Sequence, residues 1–331
     1  MGLLVNGQWQ DKWYDTEKSG GAFVREDARL RNWVTADGSA GPTGTDGFKA
    51  ESGRYHLYVS YACPWAHRTL IFRQLKGLRD HISVSVVATD MLENGWTFDT
   101  QNGSSGDDLF HSDFLHQIYT RNQADYSGRV TVPVLWDKQQ NCIVSNESSE
   151  IIRMLNSAFN GITGNSLDFY PEPLQQAIDE VNERVYNKVN NGVYKAGFAT
   201  SFDKYQAAFE SLFDTLDWLE QRLTGQRWLV ADNQGVSHLT EADWRLFTTL
   251  VRFDAVYVGH FKCNLKRIAD YPALSAYLRD LYQYPGVDST VHIDHIKRHY
   301  YASHHTINPT GIVPIGPELD FSAPHNRQTL L

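Results

Sequence analysis

Cysteine is scarce in this chain. Its 331 residues include three, Cys63, Cys142 and Cys263, an odd number spaced too widely for a disulfide framework. Long apolar runs are missing too, so no stretch of sequence reaches the length of a membrane-crossing helix. The opening MGLLVNGQWQDKWYD lacks the basic flank and sustained apolar core of a secretion leader. Asn6 stands where a myristoylation signal after Met-Gly needs Ser or Thr. Basic residues are outnumbered, 30 Lys and Arg against 39 Asp and Glu, a net charge of −9. That disfavours nucleic acid as a partner, because phosphate binding calls for a basic face. These absences predict a cytoplasmic protein that engages neither membrane nor nucleic acid, with the sequons at Asn102 and Asn146 unused.

Aromatic residues, in contrast, are plentiful: 13% of the chain, including 17 Tyr and 9 Trp. They suit flat ligands as well as core packing. The length suits two domains. Residues 1–50, rich in Gly, Asp and Thr, read as a surface-wrapped extension. Residues 51–165 carry a β-α-β-α-β-β-α pattern: a strand at 55–62, a helix from Ala66, and a strand within HISVSVVATD. A turn-rich insertion at 91–110 and a short helix in HSDFLHQIYTR follow. The strands TVPVLWD and NCIVSN form a hairpin, and ESSEIIRMLNSAF a helix. That order is thioredoxin-like. Pro171 and Pro173 punctuate a linker, and 171–305 shows helical period throughout. The fold class is therefore α/β plus all-α, with an extended tail over 306–331. In HLTEADWRLF, Thr240 and Asp243 have the spacing of a capping box.

The stretch SYACPWAHRTLIF places Cys63 between a strand and a helix. There it faces backbone N–H groups and the positive end of the helix dipole, and both favour the nucleophilic thiolate. Pro64 suits the first helical turn, and His67 and Arg68 add positive potential. Ala66 removes any resolving thiol, so a captured sulfur must be released by an external thiol. The alternative is a buried structural cysteine.

Two further pieces belong with it. Pro133, in RVTVPVLW, begins a hairpin strand; a cis bond there leaves Val132 to pair with an extended peptide ligand. An edge-strand trans proline is the alternative. In SNESSEII, Glu147 and Ser148 open a helix suited to the amine and carboxylate of a γ-glutamyl group, or simply to capping.

These pieces resemble a glutathione transferase with a catalytic cysteine. YACPWAHR, NGWTF, GRVTVPVLWD, SNESSEIIRMLN, RFDAVYVGHFKCN and HIKRHYYASHHTINPTGIVPIGP resemble the glutathionyl-hydroquinone reductases, the Xi class, over nearly the whole chain. The resemblance implies that Cys63 attacks the sulfur of a glutathionyl-hydroquinone, and that a second glutathione resolves the mixed disulfide. It implies a glutathione site of Trp96, Arg129, Val132, Glu147 and Ser148. It also implies a hydroquinone pocket with Tyr194, Tyr257 and Tyr300, Tyr301 being a rival for the last. The resemblance further implies glutathione as co-substrate, no metal, and a homodimer joined through the helical domain. Rival readings are a general thiol transferase or dehydroascorbate reductase, a non-catalytic transferase-like binding module, and a metal site at His292, His295 and His299.

Overall fold

The computed structural model describes residues 2–330. They divide into two compact units whose segments interleave along the chain. The first takes the stretch up to Trp13, Glu26–Leu167 and Asp294–Ser303; the second takes Tyr14–Arg25, Asp168–Ile293 and the chain from His304 onward. Two segments thus depart from the simple order the sequence suggests: 14–25 belong with the helical unit, and 294–303 with the first.

The first unit begins with short strands β1 (Leu3–Val5), β2 (Gln8–Gln10), β3 (Trp33–Thr35) and β4 (Gly47–Lys49). Then come β5 (Tyr55–Val59), α1 (Pro64–Leu75), β6 (Ile82–Val86), α2 (Leu115–Asn122) and β7 (Gly128–Arg129). Strands β8 (Val134–Asp137) and β9 (Cys142–Ser145) and helices α3 (Ser148–Ser157) and α4 (Asn160–Thr163) complete it. The main sheet has the order β6-β5-β8-β9. Strand β5 runs parallel to β6 and antiparallel to β8, and β8–β9 is the expected hairpin. This is the thioredoxin-like pattern. All five residues of β5 are buried, as an inner strand covered on both faces requires.

The extension is more than a wrapping. Leu4, Val34 and Phe48 are buried, and β1 pairs with both β2 and β7 in a second small sheet. Strands of three residues are too short for alternation to announce them.

The second unit is helical: α5 (Gln175–Val185), α6 (Gly192–Gly197), α7 (Phe202–Gly225), α8 (Glu241–Arg252) and α9 (Pro272–Tyr282). A two-residue pairing, β10 (Val230–Ala231) with β11 (Ser237–His238), interrupts it. Helix α10 (Ile293–Ser303) follows, its residues from Asp294 belonging to the first unit. Two π turns, Tyr186–Asn190 and Phe253–Tyr257, continue α5 and α8. The capping box forms as the spacing predicts. Asp243 accepts the Thr240 backbone N–H at 2.8 Å, and the Thr240 hydroxyl accepts from the Ala242 N–H at 3.3 Å. Among the described residues, no helix is long and apolar enough to cross a membrane.

Candidate functional site

Cys63 is the N-cap of α1, in extended conformation, with Pro64 at the first helical position. The strand-to-helix junction read from the sequence is thus present, and Cys63 is partly exposed. Its Sγ lies 3.7 Å from the Val132 carbonyl oxygen. A thiol can donate to that carbonyl and a thiolate cannot. The Val132–Pro133 bond is cis, the expected isomer. One contact therefore unites two of the three sequence pieces.

The other thiols sit in different surroundings. Burial pushes Cys142 up to about 11 and Cys263 well above its ordinary value, so both stay protonated and poorly nucleophilic at neutral pH. His67 and Arg68 are buried, with the Arg68 guanidinium 4.7 Å above the Trp65 ring.

Glu147 caps α3. Its carboxylate accepts from the Ser149 backbone N–H at 2.9 Å and the Ser149 hydroxyl at 2.8 Å. Ser148 is the first helical residue and is buried. Arg129 lies on β7, placed by its pairing opposite Leu3 of β1. Its Nε donates to Glu26 at 3.1 Å, and its other nitrogens donate to the carbonyls of Lys12 at 2.5 Å and Trp13 at 3.3 Å. The guanidinium of Arg129, a residue the resemblance assigns to the glutathione site, meets a protein carboxylate.

Trp96 sits in the long insertion and is 4% exposed. It is held from two directions. Trp9 donates its indole N–H to the backbone carbonyl of Glu93 at 2.8 Å and lies against Gly95, where a Cβ would stand 2.6 Å from the Trp9 ring and φ is +68°. Only glycine fits that position. On another side, the His299 ring stacks on Trp96 with centroids 4.8 Å apart and planes at 19°.

In the second unit, Tyr194 of α6 and Tyr257, the last residue of a π turn, are both buried. Their rings lie 6.2 Å apart. Arg25 lies over the Tyr194 ring at 4.8 Å and donates to Asn191 Oδ1 at 2.8 Å. Tyr300 is buried on α10, in the first unit, and Tyr301 is half-buried. Among the described residues, no group of three His, Cys, Asp or Glu could hold a metal ion.

Sequence reasoning missed Trp9, Glu26 and Arg25. Their contacts join positions 84, 103 and 166 residues apart, and no local pattern carries such information. His299 was noticed, but only as a rival metal ligand.

Two glutathione S-transferase family models match the chain, the N-terminal domain at residues 62–158 and the C-terminal domain at 202–280. The chain is 58% identical to glutathionyl-hydroquinone reductase YqjG of Escherichia coli, over 99% of this chain and 98% of that protein. It is 54% identical to glutathionyl-hydroquinone reductase PcpF of Sphingobium chlorophenolicum, over 96% of each. The glutathione-bound structure of the Escherichia coli protein superposes with a TM-score of 0.90 at 55% identity, covering 98% of this chain and 99% of that one. A Xi-class glutathione transferase from Natrialba magadii gives 0.89 at 45% identity, covering 100% and 97%.

Proposed function

The chain belongs to the Xi class of glutathione transferases, the family of the glutathionyl-hydroquinone reductases, and from that premise we propose that it removes glutathione reductively from glutathionyl-hydroquinones. The observation that carries the reading is the partly exposed Cys63 at the head of α1, beside Val132, with Ala66 where a resolving thiol would stand.

The reaction balances in two displacements. The Cys63 thiolate attacks the sulfur of the bound conjugate; a sulfur–sulfur bond forms as the aryl carbon–sulfur bond breaks. The ring takes the electron pair and a proton and leaves as hydroquinone, while Cys63 is oxidised to the mixed disulfide. A second glutathione thiolate attacks the glutathione sulfur of that disulfide, forming glutathione disulfide and restoring the Cys63 thiolate. With no second cysteine in the motif, an external thiol is required at this step.

In this reading Trp96, Arg129, Val132, Glu147 and Ser148 hold the glutathionyl group. Arg129 exchanges Glu26 for a ligand carboxylate, and Glu147 meets the γ-glutamyl amine. The hydroxyls of Tyr194, Tyr257 and Tyr300 serve the ring oxygens: a donor there stabilises the keto tautomer, from which carbon–sulfur cleavage is easier. The protein works in a reducing cytoplasm, which suits three cysteines with no disulfide, and as a homodimer through the helical domain, which light scattering would test.

The deciding experiment offers a glutathionyl-hydroquinone, a glutathione mixed disulfide and dehydroascorbate to wild type, Cys63→Ala and Tyr194→Phe. Turnover of the conjugate that disappears in Cys63→Ala, with one glutathione found on Cys63 by intact mass, is the expected result. Disulfide turnover alone would favour a general thiol transferase, and no turnover at all a binding module.

A further inference from the structure

The histidines of the run HIDHIKRHYYASHH have no part in the chemistry above, yet three side chains of α10 hold the short segment that leads into the insertion. The His299 Nδ1 lies 2.8 Å from the Thr89 carbonyl oxygen. A carbonyl can only accept, so Nδ1 carries the hydrogen. Arg298 grips both carboxylate oxygens of Asp90, at 2.8 and 2.6 Å, and holds that carboxyl below its usual range. The Met91 N–H donates to the Ser303 hydroxyl at 2.9 Å. Three consecutive residues, 89 to 91, are thus tied to a helix some 210 positions later in the chain. They lead into the turn that carries Trp96, and the same His299 stacks on the Trp96 ring. Both rings are almost wholly buried, at 5% and 4% exposed, so neither can change rotamer without displacing the other.

We infer that His299 is a positioning residue for Trp96, and that α10 through His299 sets the affinity of the glutathione site. The inference rests on the assignment of Trp96 to glutathione. Its physical basis is preorganisation. Burial, with the donor bond on Nδ1 beside it, holds the plane of the imidazole, and the stacked ring holds the plane of the indole. Glutathione then meets an indole already oriented, and the ordering cost at binding falls. His299 touches neither sulfur nor quinone in this scheme, so it acts on binding and not on the chemical step.

The test uses the full chain and glutathione itself. Binding is measured by calorimetry, and kcat and KM for glutathione with a glutathionyl-hydroquinone, for wild type, His299→Leu, His299→Phe, Trp96→Ala and the pair His299→Leu with Trp96→Ala. A stacked aromatic pair predicts that His299→Leu, which preserves volume without a ring, weakens glutathione binding about 3- to 10-fold, raises KM equally and leaves kcat within about twofold. His299→Phe, which restores a ring against Trp96, recovers most of the affinity. In the Trp96→Ala background the leucine substitution adds almost nothing. Wild-type affinity in His299→Leu beside a weakened Trp96→Ala overturns the inference, as does full additivity in the double variant. Wild-type affinity in Trp96→Ala instead overturns the assignment of Trp96, and the inference with it. Melting temperatures identify any variant whose fold has failed; if His299→Leu is such a variant, His299→Phe decides, near-wild-type affinity supporting the stack and a loss equal to that of Trp96→Ala refuting it.

Discussion

Replacing Asp243 by Asn should change how stability depends on pH more than it changes stability at neutral pH. The carboxylate is fully buried. One oxygen accepts from the Thr240 backbone N–H at 2.8 Å and hydroxyl at 3.2 Å; the other accepts from the Leu229 N–H at 2.9 Å and the Tyr277 hydroxyl at 2.8 Å. Burial outweighs these four bonds and pushes the carboxyl from its ordinary 3.8 up to about 6. The folded state therefore holds the Asp243 proton more tightly than the unfolded chain does. The sign follows: this group's contribution to stability is greatest below about pH 4, declines as pH rises to about 6, and is level above that. Two units at about 1.36 kcal/mol each make the decline roughly 3 kcal/mol.

Asparagine abolishes that decline but adds a fixed cost. It offers one oxygen where the carboxylate offers two. The Tyr277 hydroxyl can turn to accept from the new amide, whereas the N–H groups of Thr240 and Leu229 both need an acceptor. One of them is stranded, at about 1–3 kcal/mol. Near pH 7 the two effects nearly cancel. Near pH 4 only the stranded donor remains, because a protonated carboxyl still has two oxygens. Urea unfolding followed by far-UV circular dichroism, on wild type and Asp243→Asn from pH 4 to 7.5, measures the difference. The variant should be less stable by about 1–3 kcal/mol at the acid end, and that deficit should shrink by roughly 3 kcal/mol towards neutrality. A deficit constant across the range would show that Asp243 titrates normally, and the account of a charge held against its burial would fail.

Other substitutions address the site. Cys63→Ser should reduce release of hydroquinone from a glutathionyl-hydroquinone by more than about a thousandfold while calorimetry still detects glutathione binding; retained turnover would move the nucleophile elsewhere. Glu26→Gln removes the carboxylate on Arg129, a pair whose glutamate is 43% exposed. Such a pair contributes about 0.2–1 kcal/mol, so glutathione should bind up to about fivefold more tightly, whereas weaker binding would mean that Glu26 assists the ligand. Tyr194→Phe should lower kcat for the quinone conjugate by about a hundredfold and spare turnover of a glutathione mixed disulfide; equal loss on both substrates would assign Tyr194 a structural role.

What the sequence disclosed and what it concealed divide by distance along the chain. The head of α1, the helix start at Glu147 and the box at Thr240 and Asp243 each lie within four residues, and each appeared where backbone chemistry requires it. The main sheet was legible for a similar reason, since its strands are four or five residues long and bounded by turn signals. Trp96 and Arg129 are different. Their residue types could be matched to a family pattern, but their placement depends on partners that no window of sequence contains. β1 fixes Arg129 through a register pairing with Leu3. Trp9 fixes the turn before Trp96, and α10 fixes the segment before that turn. The stretch that looked like wrapping and the His299 that looked like a metal ligand therefore have a common role: β1 and β2 near the start of the chain hold Arg129 and the turn before Trp96, and α10 holds Trp96. A loop of the insertion's length loses much conformational entropy when ordered, and burial of its Met91, Trp96 and Phe98 offsets part of that loss. Anchors from β2 and α10 supply what the loop lacks. Removal of β1 and β2, or loss of the α10 contacts through Arg298 and His299, should accordingly impair glutathione affinity before it impairs the thioredoxin-like sheet.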